Sequence, residues 1–146
     1  MNQITFKNLR NYKYQLIKNY NYQTQIRTNS SCKIGAPDVK IFLELSSDGL
    51  LKIESGYAWD GPSGPTIDTK TFIRGSLIHD ALYQLMREEK LDPKIFREPA
   101  DKILKEVCIE DGMSFFRANY VYKFVRWFGE SSAKRRDETK EWEVAP

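Results

Sequence analysis

Apolar residues recur at every second position in the first half of this chain and at every third or fourth position in its second half. A period of two is typical of a strand with one buried face, whereas a period near 3.6 is typical of a helix packed on a core. Strands followed by helices favour an α+β fold. We therefore predict a small N-terminal antiparallel sheet followed by a C-terminal three-helix unit that contains a His-Asp helical hairpin.

Four strands are predicted in the first half of the chain. Alternating residues with high strand propensity indicate them at Tyr12–Ile17, Tyr22–Ile26, Val39–Leu45 and Leu50–Glu54. We expect a hairpin turn at Asn19-Tyr20-Asn21. A second is expected at Asp48-Gly49, because Asp-Gly is a strong hairpin signal.

Three helices are predicted in the second half. The first ends near Lys90, before a proline-containing break. The second is expected to start at Pro99 and to stop at Gly112, since proline favours the first turn of a helix and glycine its C-terminal cap. The third runs from the cap Ser114 to Gly129.

The chain of 146 residues is expected to form a single domain, 1–146. Its parts are a strand-rich segment (1–56), a Gly/Pro loop (57–68), a helical segment (69–130) and a polar tail (131–146). Basic and acidic residues nearly balance, at 23 and 20, and are mostly scattered, so no nucleic-acid partner is expected. No apolar run is long enough to span a membrane, and the N-terminus lacks the features of a signal peptide. Cys32 and Cys108 are expected to be free thiols.

His79 is the only histidine, and it is followed by Asp80 and, one helical turn later, by Tyr83. A histidine near carboxylates suits a general base, because the carboxylates orient the ring and stabilise its charged form. Asp80 points about 100° away from His79 on a helix. It is therefore free to ligate a hard cation. The plainer alternative is a half-buried helical histidine without catalytic function.

Asp101 lies 22 residues after His79, on the next predicted helix. If the two helices form an antiparallel hairpin, Asp101 can face His79 and fix its tautomer, as the aspartate does in serine hydrolases. A water molecule activated by His79 would then serve as the nucleophile. The alternative for Asp101 is an acid that merely favours the first turn of a helix.

The Gly/Pro loop between the two halves contains the segment Trp59–Gly64. Such a loop can turn backbone carbonyls towards a hard cation, and calcium takes several carbonyl oxygens together with a carboxylate. We expect one Ca²⁺ held by Asp80 and the loop, with Asp60 and Asp68 as further carboxylates nearby. A plain turn between sheet and helices is the alternative.

Together these residues resemble a phospholipase A2, in which a Gly-rich calcium loop precedes a His-Asp-x-x-Tyr helix and an Asp on the antiparallel helix. The chain has Gly61–Gly64, His79-Asp80-Ala81-Leu82-Tyr83 and Pro99-Ala100-Asp101 in that order. The disulfide-free phospholipase domain of parvovirus capsid proteins is the most similar variety. The chain is also similar to a poorly characterised phage and prophage domain family with a Trp-Asp-Gly loop and a His-Asp-x-Leu-Tyr helix.

The resemblance implies a role for each matching residue. His79 would deprotonate water, Asp101 would orient its ring, and Tyr83 would bond Asp101. Calcium would be held by Asp80 and the carbonyls of Trp59, Gly61 and Ser63, with Asp60 as an alternative ligand.

Three functions stay open at this point. The first is a calcium-dependent, phospholipase A2-type hydrolase, which would act on phospholipid or at a membrane surface. The second is a hydrolase on another substrate, such as cell wall. The third is a non-catalytic phage accessory, virion or host-interaction protein that keeps the fold. The similarity to phage domains implies a phage-encoded protein located in the host cytoplasm or the virion.

The third predicted helix is rich in aromatic residues interleaved with Arg117, Lys123 and Arg126. Such a helix can lie at a membrane interface. Because aromatic side chains dominate protein cores, we expect instead that most of these rings are buried. They are Phe115, Phe116, Tyr120, Phe124, Trp127 and Phe128.

Overall fold

A computed structural model describes residues 3–9, 14–36, 38, 40–61 and 70–134. Over these residues the chain is an α+β protein, as predicted, with antiparallel strands preceding the helices. The predicted Gly/Pro loop beyond Gly61 and the tail from residue 135 lie outside the described residues.

The described strands form two antiparallel sheets rather than the single one predicted. One sheet has the order β1-β2-β7, from β1 (Phe6–Asn8), β2 (Tyr14–Leu16) and β7 (Ala58–Trp59). The other has the order β3-β6-β5-β4, from β3 (Tyr20–Gln23), β4 (Cys32–Ala36), β5 (Lys40–Leu45) and β6 (Leu50–Ile53). The β5–β6 hairpin is confirmed, and its turn residue Gly49 has a φ of 95°.

The hairpin predicted at Asn19-Tyr20-Asn21 is wrong. Tyr20 and Asn21 lie inside β3 and pair with β6, where Tyr20 lies opposite Ile53. The preceding strand β2 pairs with β7 instead, and its end is held by a hydrogen bond of 2.8 Å from Leu16 N to Tyr57 O. The chain therefore passes from one sheet to the other where local sequence suggested a turn.

Four helices follow the sheets within the described residues: α1 (Lys70–Arg87), α2 (Pro93–Glu110), α3 (Phe115–Phe128) and α4 (Glu130–Ala133). The predicted start of the second helix at Pro99 is wrong, because Asp92 caps α2 by accepting a hydrogen bond from Lys94 N and Pro99 lies inside the helix. The short α4 occupies the beginning of the predicted polar tail and buries Ala133. None of the described helices is both long and apolar enough to cross a membrane.

Helix α1 is the centre of the fold. Thirteen of its 18 residues are buried, so it is enclosed on nearly every side, unlike a surface helix with one apolar stripe. One core cluster joins α1 to both sheets and to α2, and another joins its residue Phe72 to α2 and α3. Cys32 and Cys108 are free thiols, as expected. The burial of α1 fixes His79, near its middle, in the protein interior.

The prediction that the aromatic residues of α3 form part of the core is wrong for most of them. Only Ala118 and Val121 of this helix are fully buried. These small side chains let α3 lie close to α2, while five of the six aromatic rings are exposed: Phe115, Phe116, Tyr120, Trp127 and Phe128. Phe124 is half-buried.

Buried Arg74 connects α1 to the end of α2 and to the four-stranded sheet. Arg74 Nε donates to both carboxylate oxygens of Asp111, at 3.1 and 3.0 Å. Its Nη2 donates to Asp111 Oδ1 at 2.9 Å and to Glu110 Oε2 at 2.8 Å. Its Nη1 donates to the hydroxyl of Tyr20 in β3, at 3.1 Å. These bonds join the end of α2 to α1 and to the four-stranded sheet.

Replacement of Arg74 by methionine is expected to lower the free energy of unfolding by about 2–3 kcal/mol, since it removes a buried, charge-assisted network. Urea unfolding followed by circular dichroism measures the change. Lys102→Met provides the control, because Lys102 makes an exposed ion pair with Glu98 and contributes little. Equal effects of the two substitutions would show that the Arg74 network does not stabilise the fold.

Candidate active site

The helical hairpin places His79 of α1 against Asp101 of α2. The turn between the helices ends at Asp92, whose cap sets the direction of α2. His79 Nε2 lies 2.7 Å from Asp101 Oδ1, within hydrogen-bond distance, so Asp101 faces His79 as predicted. The ring of Tyr83 lies over the imidazole of His79, with 4.1 Å between ring centroids and 36° between planes.

Asp101 is completely buried and, among the described residues, accepts hydrogen bonds from three side chains. Besides His79, the hydroxyl of Tyr83 donates to Oδ1 at 2.6 Å, and Nη1 of Arg126 in α3 donates to Oδ2 at 2.8 Å. Burial alone raises the pKa of this carboxyl group, but the hydrogen bonds from His79, Tyr83 and Arg126 outweigh burial and hold the pKa below its ordinary value. Asp101 is therefore an anion at neutral pH.

Two opposing effects act on His79. Burial lowers its pKa, but the hydrogen bond to Asp101 and the nearby charges of Asp101 and Asp80 raise the pKa above the ordinary value. Because the anionic Asp101 accepts the proton of Nε2–H, the neutral ring carries its lone pair on Nδ1. Nδ1 lies 3.9 Å from Asp80 Oδ1, which is beyond hydrogen-bond distance. The arrangement leaves Nδ1 available to accept a proton.

A cavity of about 420 Å³ adjoins His79. The β7 end and α1 supply most of its polar lining: Asp60, Ser76, His79, Asp80, Tyr83, Gln84 and Arg87. Helices α2 and α3 supply apolar side chains: Leu104, Val121, Phe124, Val125 and Phe128. The cavity can therefore hold a molecule that has both a polar and an apolar part.

The start of the Gly/Pro loop is fixed against α1. Trp59 Nε1 donates a hydrogen bond of 3.0 Å to Ser76 Oγ, one turn before His79. Gly61 has a φ of 72°, and a Cβ at this position would lie 2.5 Å from Cε2 of Tyr14. Only glycine satisfies both the backbone conformation and the contact with Tyr14. The described start of the loop, up to Gly61, is thus held beside the helix that carries His79 and Asp80.

The predicted calcium ligands within the described residues line one cavity. Asp80, Trp59 and Gly61 adjoin it, as does Asp60, the alternative ligand. Burial raises the pKa of Asp80, although His79 opposes this effect. Ser63 and Asp68 lie outside the described residues.

A carboxylate beside backbone carbonyls is a donor set that fits calcium. In the described part of the chain, no three His, Cys, Asp or Glu side chains form a metal-binding group, so such a site would depend on backbone oxygens.

Sequence reasoning missed two members of the site. Arg126 was noted only as a basic residue of an aromatic helix, yet it binds the carboxylate of Asp101, 25 residues away. Ser76, which accepts the hydrogen bond from Trp59, is not indicated by any sequence motif. Neither has a local signal, because the contacts depend on how α3 and β7 pack on the hairpin.

Comparisons of the chain with protein-family models, with curated proteins and with solved structures find no match. The function of the chain is therefore inferred from the geometry of its site.

Proposed function

We propose that this chain is a calcium-dependent hydrolase of phospholipase A2 type. The observation that carries the proposal is the bond between His79 and the buried carboxylate of Asp101, which leaves Nδ1 available to accept a proton in a histidine that lines the cavity. A histidine held in this way is suited to take a proton from a water molecule that attacks an ester.

In the proposed mechanism His79 transfers the proton, and the residues around it stabilise and orient its ring. His79 Nδ1 accepts the proton as the water oxygen attacks the ester carbonyl, and it later returns the proton to the leaving alcohol. Asp101 stabilises the imidazolium formed between these steps, because it remains ionised. Tyr83 and Arg126 hold the carboxylate in position through its two oxygens.

Calcium would be held by Asp80 and the backbone carbonyls of Trp59, Gly61 and Ser63, with Asp60 as the alternative ligand. When bound there, the ion would polarise the ester carbonyl and stabilise negative charge on its oxygen. Oxygen donors favour calcium over zinc, which prefers Cys and His ligands.

The cavity supports a lipid ester as the substrate. The apolar side chains of α2 and α3 would contact a hydrocarbon chain, whereas a cell-wall polymer offers little apolar surface for them. The substrate class that we propose is therefore phospholipid in a membrane. The protein would be phage-encoded and would act on the lipid of its host.

Release of fatty acid from phospholipid vesicles tests the proposal. We expect release with millimolar calcium and none after calcium is removed by a chelator. Diether lipids, which lack the ester, serve as the substrate control and should give no product. Absence of release from ester lipid at any calcium concentration would contradict the proposal and favour a non-catalytic binding protein.

The substitution Asp80→Asn is expected to weaken calcium binding about tenfold or more, because it removes a formal charge from the ligand set. Isothermal titration calorimetry measures the dissociation constant. Asp60→Asn makes the same change of charge beside the same cavity and should have the smaller effect. Binding that depends on Asp60 and not on Asp80 would show that the ligands are assigned wrongly.

A further inference from the structure

The solvent-facing side of α3 is aromatic. Phe116, Tyr120 and Trp127 are 87%, 53% and 73% exposed, and Lys123 lies between them. Their spacing of four, three and four residues places these four side chains on one face of the helix, which we call the α3 stripe. The buried residues Ala118 and Val121 lie on the other side. The helix thus turns its large apolar side chains towards solvent and its small ones towards the core.

The charges on α3 indicate which kind of partner could bind the α3 stripe. The helix contains no acidic residue, and Lys123 is the basic residue on the stripe, whereas Arg126 lies on another side of the helix and is bonded to the carboxylate of Asp101. Lys105 of α2 adds another positive charge, since its Nζ lies 4.9 Å from the centre of the Phe115 ring. Two copies of the chain paired through this face would bring like charges together, whereas an anionic surface would be attracted.

The aromatic composition favours a lipid surface among anionic partners. Trp and Tyr place an apolar ring next to a polar group and are enriched at the level of lipid headgroups. Phe128, the residue after Trp127, is 65% exposed and lines the cavity beside His79. A membrane that covers the stripe would therefore lie next to the cavity.

We propose that the α3 stripe docks the protein on an anionic lipid surface, with Phe116, Tyr120 and Trp127 at headgroup level and Lys123 against lipid phosphates. The inference rests on the proposed function in one respect, since it names the surface at which that site would work. Docking itself needs neither calcium nor hydrolysis, so it can be measured independently.

Co-sedimentation with vesicles tests docking. The vesicles consist of diether phosphatidylcholine, either alone or with about 30% diether phosphatidylglycerol, which makes the surface anionic. The buffer contains a chelator. We expect binding to the anionic vesicles and weak binding to the neutral ones. Trp127→Ala and Phe116→Ala should each reduce binding about tenfold, and Lys123→Glu by a similar factor. Since these side chains are exposed, the thermal midpoints should stay near that of the wild type.

Two variants on the sheet side provide matched controls. Ile17 and Lys18 are exposed and precede β3. Ile17→Ala and Lys18→Glu should bind anionic vesicles like the wild type.

Equal binding to neutral and anionic vesicles, or unchanged binding by the stripe variants, would overturn the proposal. A dimer in solution that Trp127→Ala converts to a monomer would also overturn it, in favour of a second copy as the occupant. Loss of lipid hydrolysis with docking retained would contradict the proposed function alone.

Discussion

Replacement of His79 by glutamine is expected to lower the rate of phospholipid ester hydrolysis about 10²–10⁴-fold, the range that a general base contributes. Glutamine has no group that accepts a proton near neutral pH. Its amide N–H can still donate to Asp101, so the buried carboxylate keeps a donor and the fold is expected to persist. Initial rates of fatty acid release at saturating calcium measure the effect.

Tyr83→Phe is the graded control for this experiment. It removes the hydroxyl that donates to Asp101 at 2.6 Å but leaves the His79–Asp101 bond in place. We expect a loss of about tenfold or less, because Arg126 still holds the carboxylate. Full activity of His79→Gln would exclude His79 as the base. A parallel loss of folded protein would show instead that His79 serves packing.

Replacement of Asp101 by alanine is expected to lower the free energy of unfolding by about 2–4 kcal/mol, as is usual when one partner of a buried ionic network is removed. The substitution leaves the hydroxyl of Tyr83 and the guanidinium of Arg126 without their common acceptor. It also creates a cavity between α1 and α2, since Asp101 is completely buried. Urea denaturation at neutral pH gives the free energy of unfolding.

Glu98→Ala is the matched control for Asp101. Glu98 lies on the same helix and makes an exposed ion pair with Lys102 at 3.3 Å. Exposed pairs contribute about 0–1 kcal/mol, so this variant should unfold nearly as the wild type does. If the two variants have the same stability, the network around Asp101 would be shown to contribute nothing to folding.

The parts of the fold that were predicted from sequence depend on local pattern. The hairpin of α1 and α2 follows from helical periodicity and a proline break, and it suffices to bring His79 to Asp101. The β5–β6 turn follows from Asp48-Gly49. The register of His79 on α1 needed no knowledge of the remaining chain.

The parts that were missed depend on contacts between distant segments. The local sequence predicts Tyr20 in a turn, but its pairing with Ile53 and its bond to Arg74 place it in a strand. Arg126 reaches Asp101 only because α3 packs on α2. Aromatic composition predicts that the rings of α3 lie in the core, and this prediction fails because composition does not show which side of a helix faces the core. Pairing and orientation of this kind are decided by the whole fold.

The single imidazole of this chain makes the site its own spectroscopic reporter. His79 is the only histidine, so every imidazole nitrogen signal in a spectrum of ¹⁵N-labelled protein comes from the site. The ring nitrogens differ in chemical shift according to which of them carries the proton, and the bond from Nε2 to Asp101 specifies that tautomer. The protonation of the proposed base can thus be observed in the intact protein without assigning any other resonance.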